Sequence, residues 1–185
     1  MKLNASIKNI ANLRRLLNEP KRLLALFIVV GVVLLFNTCA SASLQGVAKV
    51  IDGDTITLIE KSGQKHTIRF YGIDAPETTT KQPFGEESKA FLASMIADKE
   101  VKIIVKDKDK YGRIVGIVKF DGKDINKIMV EKGYAWAYSY YTEAYVVQHN
   151  AAKAQKIGLW ADENATNKAI EPYKWRKSHR NKGFE

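Results

Sequence analysis

Leu44 to Tyr71 reads LQGVAKVIDGDTITLIEKSGQKHTIRFY and alternates short apolar runs with turn residues. Asp52-Gly53 is a pair typical of hairpin turns, and Gly63 marks a second turn. This pattern predicts an antiparallel meander of three short strands. The strands are predicted at residues 44–51, 55–59 and 65–71.

The rest of the chain mixes further strands with helices. A proline-containing loop spans Gly72–Phe84. Two more strands are predicted at Val101–Lys106 and Arg113–Phe120, and helices at Gly85–Ala97, Ile125–Lys132 and Glu143–Ile157. Five strands with interspersed helices favour an α+β fold built on a small closed barrel. A parallel-sheet enzyme would need strands and helices to alternate throughout, and this chain lacks that alternation.

Composition limits the chemistry that the protein can perform. The 185 residues include 30 Lys and Arg against 20 Asp and Glu, a net charge of +10, of which residues 1–42 contribute +5. The remaining +5 from Ser43 onward favours a polyanionic partner, and a solvated lysine-rich surface is the alternative. With 45% hydrophobic and 27% charged residues, the chain is globular in composition. One cysteine excludes a disulfide framework within the chain and a multi-cysteine metal cage, and three histidines argue against most zinc hydrolases. Carboxylates, arginines, lysines and hydroxyls are therefore the candidate functional groups.

The first 42 residues have the parts of an export signal. Residues 1–22 hold six basic residues and one acidic residue, and the apolar run Leu23–Phe36 follows. Small residues then lead to Ala42, which predicts a signal peptide cleaved after that residue. The alternatives are an uncleaved membrane anchor with its basic end in the cytoplasm and lipidation at Cys39. We expect an exported protein that is secreted, periplasmic or anchored on the outer side of the membrane.

Two glycine-containing turns carry charged residues at strand ends. Val50–Thr55 reads VIDGDT, and its Asp54 is free to leave the turn. Asp109–Arg113 reads DKYGR and delivers Arg113 into the next predicted strand. Each turn taken alone is also ordinary hairpin chemistry, so neither establishes a site by itself.

A third segment, IRFYGIDAPE at residues 68–77, combines a strand arginine with two acids. Arg69 inside a strand needs a carboxylate or phosphate partner. If Asp74, Glu77 and Asp54 face one cavity, their mutual repulsion calls for a cation, and oxygen ligands favour calcium or magnesium. The alternative is a structural ion pair of Arg69 with Asp74, with Glu77 in solvent.

Two arginines near a bound cation are suited to a phosphodiester. The guanidinium groups of Arg69 and Arg113 would neutralise phosphoryl oxygens, and a free carboxylate would activate water. Lys110 and Tyr111 are candidates to hold a terminal phosphate and to stack on a base. The aromatic run at residues 134–141 is either a base-stacking wall or part of the core.

In this order and spacing, the segments resemble the thermonuclease (staphylococcal nuclease-like) family from about Val47 to Trp160. The motifs that carry the resemblance are VIDGDT at 50–55, R-x4-D-x-P-E at 69–77, DKYGR at 109–113, EKGYAWAY at 131–138 and AQKIGLW at 154–160. The resemblance implies an OB-fold barrel of five strands with three helices. It also implies calcium-dependent hydrolysis of DNA and RNA with little sequence specificity, leaving 3′-phosphate and 5′-hydroxyl ends.

The same resemblance implies a role for each residue of the site. The implied calcium ligands are the side chains of Asp54 and Asp74 and the backbone carbonyl of Ala75. The implied catalytic residues are Arg69 and Arg113 on the scissile phosphate and Glu77 as general base. The implied substrate contacts are Lys110, Tyr111 and Tyr138. By ungapped count Ser139 falls where the family has a nucleotide-contacting tyrosine, so Tyr140 and Tyr141 are alternatives to Tyr138.

We therefore expect three parts in this chain. They are a signal peptide or membrane anchor at 1–42, a nuclease-like OB-fold domain at 43–162 and a basic C-terminal tail at 163–185. The tail contains PYKWR at 172–176, similar to the ending of some bacterial members, and its tryptophan and lysines are candidates to contact nucleic acid. A frayed basic tail is the alternative. The expected protein is a monomer that binds DNA and RNA, and also a membrane if its N-terminal segment is uncleaved.

Overall fold

The computed structural model describes residues 42–161 and 170–180, together with Lys21, Leu24, Phe27 and Ile28. The chain forms two units, Met1–Ala40 and Ser41–Glu185. In the first unit the four described residues are helical, and their side chains are exposed. None of the described helices is long and apolar enough to cross a membrane. The predicted signal peptide or anchor, including Cys39, falls mostly outside the described residues and stays a prediction.

The second unit carries the strands and helices around which the site is built. Its strands are β1 (Ser43–Asp52), β2 (Thr55–Ile59), β3 (Lys65–Phe70), β4 (Ile73–Asp74), β5 (Glu100–Lys108), β6 (Ile114–Phe120), β7 (Lys123–Asp124) and β8 (Trp136–Ala137). Its helices are α1 (Gly85–Ile96), α2 (Ile125–Glu131), α3 (Val146–Ala154) and α4 (Pro172–Arg180), with a 3-10 turn at Gly158–Trp160.

Five strands close into a barrel in the order β3-β2-β1-β5-β6. Neighbouring strands are antiparallel, and the barrel closes through a parallel pairing of β3 with β6 that sets Ile68 opposite Ile114. The long strand β1 pairs with β2 along its second half and with β5 along its first half. This closed five-stranded barrel with helices confirms the predicted α+β barrel and is consistent with an OB-fold.

Alternate side chains of the strands fill the barrel interior. The fully buried strand residues include Ile56, Leu58, Ile68, Ile103 and Val118. Helix α1 adds Leu92 and Ile96 to the same core. Each such side chain contributes roughly 1.5–3 kcal/mol by leaving water. The barrel is therefore a packed support on which polar residues at the strand ends are held in place.

Asn126, in the first turn of α2, ties this barrel to the segment that enters β4. Its side chain is fully buried, and its Oδ1 accepts a hydrogen bond from the Val118 N–H at 3.0 Å. Its Nδ2 donates to the carbonyls of Tyr71 at 2.9 Å and Gly116 at 3.2 Å. The bond to Tyr71 positions the turn that leads into β4, the strand that ends at Asp74.

Two helices, α3 and α4, differ from the sequence prediction, and α3 is shorter at both ends. Helix α3 begins at Val146, later than predicted, because the Thr142 hydroxyl accepts a hydrogen bond from the Ala144 N–H at 3.2 Å and forms a local turn there. Helix α4 lies within the residues predicted as a basic tail. Pro172 stands at its first position, where a missing N–H costs nothing.

Candidate active site

One cavity of about 750 Å³ gathers most of the residues that the sequence singled out. Its walls come from the β1–β2 turn, β3, β4, the β5–β6 turn, the aromatic segment before α3, and α4. The predicted site residues in its walls are Asp54, Arg69, Asp74, Glu77, Lys110, Tyr111, Arg113 and Tyr138. The remaining one, Ala75, is buried directly after β4.

The β1–β2 turn sets the position of Asp54. Gly53 lets this turn pack closely, because a Cβ there would lie 2.1 Å from the Ser88 Oγ and 2.8 Å from the Ala75 Cβ. The Asp54 Oδ1 accepts a hydrogen bond from the Thr55 hydroxyl at 2.9 Å, and its Oδ2 accepts one from the Ala75 N–H at 2.7 Å. Two neighbours thus hold a carboxylate that is only 6% exposed.

Arg69, on β3, joins two buried carboxylates. Its Nη1 lies 3.0 Å from Asp54 Oδ2, and its Nη2 lies 2.7 Å from Asp74 Oδ1. Asp74 is 2% exposed, and this burial raises the pKa of its carboxyl, although Arg176 and Arg69 act in the opposite direction. Because an unpaired buried charge is costly, the shared guanidinium is what allows both acids to sit in the cavity wall.

Glu77 is joined to this group through Arg176, on α4. The Arg176 Nη1 lies 2.6 Å from Glu77 Oε1 and 3.1 Å from Asp74 Oδ1. Its Nη2 lies 2.9 Å from Asp74 Oδ2, so both oxygens of Asp74 accept from one guanidinium. The backbone N–H of Glu77 donates to the Gln82 Oε1 at 3.0 Å. All three predicted acids therefore line one cavity, and Arg176 lies between Asp74 and Glu77.

Arg113 enters the cavity from the β5–β6 turn. Its Nε donates to Asp109 Oδ2 at 2.7 Å, and its backbone N–H donates to Asp109 Oδ1 at 2.9 Å. The same Oδ1 accepts from the Tyr111 N–H at 2.9 Å, so Asp109 shapes the whole turn. Lys110 has its ammonium 5.1 Å from the Tyr111 ring centroid, and that ring is 73% exposed. The turn presents a cation and an open aromatic face at the cavity mouth.

The aromatic segment divides between the cavity and the core. Tyr138 and Tyr141 line the cavity, whereas Tyr140 is 91% exposed and is not part of its wall. Burial, followed by the charge of Asp74, raises the pKa of Tyr138. Trp136 is buried, and its ring packs edge-to-face with that of Trp160 at 5.3 Å between centroids, as the core-packing interpretation expects.

The cavity residues outside the predicted set include Asp52, Tyr173 and Arg176. Asp52 lies within VIDGDT, where Asp-Gly turn chemistry accounts for it; burial and the Asp54 charge raise its pKa to about 6. Tyr173 and Arg176 belong to PYKWR, in the tail where only the tryptophan and lysines are predicted to contact nucleic acid. No local pattern marks that arginine, because its partners lie about 100 residues away in sequence.

The acids of the cavity suit a hard cation better than a transition metal. The candidate ligands on this chain are oxygens only: the carboxylates of Asp54 and Asp74 and the carbonyl of Ala75. Within the described ranges, no three His, Cys, Asp or Glu side chains group as ligands of one metal ion. Two carboxylates and a backbone carbonyl are oxygen ligands of the type that calcium and magnesium prefer, so the residues present fit such an ion.

Comparison with known proteins agrees with this geometry. A family model described as staphylococcal nuclease homologue matches residues 67–162. The chain is 37% identical to a protein of Shigella flexneri named micrococcal nuclease, over 83% of this chain and 92% of the relative. It is 38% identical to an uncharacterized endonuclease of Haemophilus influenzae, over 78% of this chain and 75% of the relative. With these matches added to the barrel and its cavity, the chain belongs to the thermonuclease (staphylococcal nuclease-like) family.

Proposed function

We propose that this protein is a calcium-dependent endonuclease that hydrolyses phosphodiester bonds of DNA and RNA with little sequence specificity. Membership of the family and the endonuclease relatives support hydrolysis of nucleic acid. The observation that carries the proposal is the buried Asp54–Arg69–Asp74 group in a cavity that Arg113 also enters. Two acids and two guanidinium groups at one opening are the charges that phosphoryl transfer uses.

The arginines act on the substrate phosphate. Arg69 is held by two carboxylates, so its guanidinium is fixed in place before substrate arrives. Arg113 is tied to Asp109 through its Nε, which leaves its two terminal nitrogens to donate to phosphoryl oxygens. Together they stabilise the negative charge that develops around phosphorus, and Arg113 also donates to the departing 5′-oxygen. One such hydrogen-bond donor typically increases the rate by a factor of about 10²–10³.

Glu77 acts as the general base on the attacking water. Its carboxylate lies in the cavity wall near Asp74, and Gln82 holds its backbone N–H. It removes a proton as the water oxygen bonds to phosphorus, and the bond from phosphorus to the 5′-oxygen breaks. The departing 5′-oxygen takes a proton from solvent, so the products are a 3′-phosphate and a 5′-hydroxyl end. Calcium held by Asp54, Asp74 and the Ala75 carbonyl would polarise a non-bridging phosphate oxygen during this reaction.

We expect the protein to contact the sugar-phosphate backbone of the nucleic acid more than its bases. Lys110 would pair with a neighbouring phosphate, and Tyr111 and Tyr138 offer rings for stacking on either DNA or RNA. Phosphate contacts carry no base information, so weak sequence preference follows.

The proposal is tested by digestion of plasmid DNA and of RNA with calcium, with magnesium and with a chelator. We expect cleavage with calcium, no cleavage with chelator, and 5′ ends that polynucleotide kinase labels without prior phosphatase treatment. Asp74→Asn should abolish cleavage. Lys61→Ala, a substitution at an exposed position, should leave cleavage at the wild-type rate. Intact DNA that only shifts in a gel would show a binding module instead, and chelator-resistant cleavage would exclude the metal.

We also propose that the protein is exported, on the basis of the basic and apolar pattern of residues 1–42. N-terminal sequencing of the protein recovered outside the cytoplasm distinguishes cleavage after Ala42 from an intact N-terminus. Recovery in the cytoplasm alone would contradict export.

A further inference from the structure

Helix α4 is attached to the loop that carries Glu77. The Trp175 Nε1 donates to the Thr80 hydroxyl at 2.8 Å. Just before the helix, the Ile170 carbonyl accepts from the Gln82 Nε2 at 2.6 Å. Gln82 is 4% exposed, and its Oε1 accepts from the Glu77 N–H, so one buried amide connects the helix to the backbone of the proposed base. The contacts place α4 at the active site with a defined orientation.

This orientation brings Arg176 onto the oxygens that the proposed reaction needs. Both Asp74 oxygens and Glu77 Oε1 lie within 3.1 Å of its terminal nitrogens. A carboxylate oxygen engaged by a guanidinium is a poorer ligand and a poorer base than a free one. Arginine keeps its charge at every ordinary pH, so these contacts are not relieved by deprotonation. A second cation that binds the same carboxylate oxygens competes directly with the guanidinium.

We propose that Arg176 is an internal competitor for the active-site cation. In the metal-free protein its guanidinium pairs with Glu77 and with Asp74, which Arg69 also holds. Binding of a divalent cation displaces Arg176 and frees Glu77. This inference rests on the proposed function and goes beyond it, because it gives helix α4 a role in controlling cation binding. We call this contact of Arg176 with Asp74 and Glu77 the latch. The latch lowers the apparent affinity for the cation, since part of the binding energy is used to release Arg176.

The test measures calcium binding to the full chain by titration calorimetry after chelator treatment. Arg176→Ala should tighten the dissociation constant for calcium about tenfold, which corresponds to about 1.4 kcal/mol. Arg176→Lys keeps the charge and loses the bidentate geometry, so its dissociation constant for calcium should lie between those of the wild type and Arg176→Ala. Lys177→Ala removes one positive charge from an exposed position of the same helix, so it should bind calcium like the wild type.

Thermal unfolding gives a second readout that does not depend on activity. Without metal, Arg176→Ala should melt at a lower temperature than the wild type, because Asp74 loses a partner while remaining buried. Calcium should then raise its melting temperature more than that of the wild type.

An unchanged or weakened calcium affinity in both Arg176 variants overturns the latch. If the wild type is still a calcium-dependent nuclease in that case, the proposed function stands without it. Absence of calcium binding by the wild type and both variants overturns the latch and the proposed cation together.

Discussion

The side-chain amide of Asn126 donates a hydrogen bond to the Tyr71 carbonyl at 2.9 Å, joining segments 55 residues apart in sequence. Tyr71 precedes the turn into β4, and β4 ends at the buried Asp74. The same amide binds β6 through Val118 and Gly116. A buried polar residue on helix α2 thus links the barrel to the segment that carries the active-site acid.

Asn126→Ala should lower the free energy of unfolding by about 3 kcal/mol, because the buried Val118 N–H loses its partner. Urea unfolding measures this change. Asn150→Ala, at an exposed position of α3, is the matched control and should stay within about 0.5 kcal/mol of the wild type. A loss below about 1 kcal/mol for Asn126→Ala would mean that water replaces the amide.

Arg113→Ala should reduce the rate of DNA cleavage about 10²–10³-fold, or roughly 2.7–4 kcal/mol of transition-state stabilisation. Its ion pair with Asp109 is partly exposed, so the melting temperature should change little. Initial rates on a fluorescent oligonucleotide in calcium buffer provide the measurement, with Lys61→Ala as the control. Near-normal turnover of Arg113→Ala would show that the site has been assigned to the wrong residues.

Glu77→Gln should reduce turnover about 10²–10⁴-fold, since an amide cannot accept the proton of water. The amide oxygen can still accept a hydrogen bond from Arg176, so the fold and calcium binding should survive. Glu86→Gln, an exposed substitution of the same type in the first turn of α1, should leave the rate unchanged. If Glu77→Gln cleaves at the wild-type rate, another group must serve as base.

His149 should make the barrel unit less stable in mild acid. Burial, followed by the charge of Lys153, lowers its pKa below the ordinary 6.5, and Glu171 acts in the opposite direction. Its Nδ1 accepts a hydrogen bond from the Ala137 N–H at 3.3 Å, which requires the neutral ring. Ala137 in turn pairs with Ile73 of β4.

Because the folded pKa is depressed, the unfolded chain binds more protons below about pH 6.5. The stabilisation is complete above that pH and is lost as pH falls through the folded value. The melting temperature should therefore drop more steeply between about pH 7.5 and 5 in the wild type than in His149→Gln. Identical slopes in the two proteins would show that the ring is not held neutral.

Local pattern explains the parts of the fold that the sequence predicted well. The β1–β3 meander follows from alternating side chains and from turns at Asp52-Gly53 and Gly63, and the observed strands agree within one residue at each end. The start of helix α3 was predicted too early because apolar periodicity does not reveal the competing turn at Thr142.

Sequence alone determined the barrel strands, the family and eight of the residues that line the cavity. Turn chemistry and short motifs depend on neighbouring residues, so they can be recognised without the tertiary structure. Only the tertiary structure decided that β3 lies beside β6, that Asn126 reaches Tyr71 and that Arg176 holds Asp74 and Glu77. These contacts join segments far apart in the chain. Their formation depends on how the closed barrel and its docked helix place charged and polar groups, which no periodicity or spacing in one segment encodes.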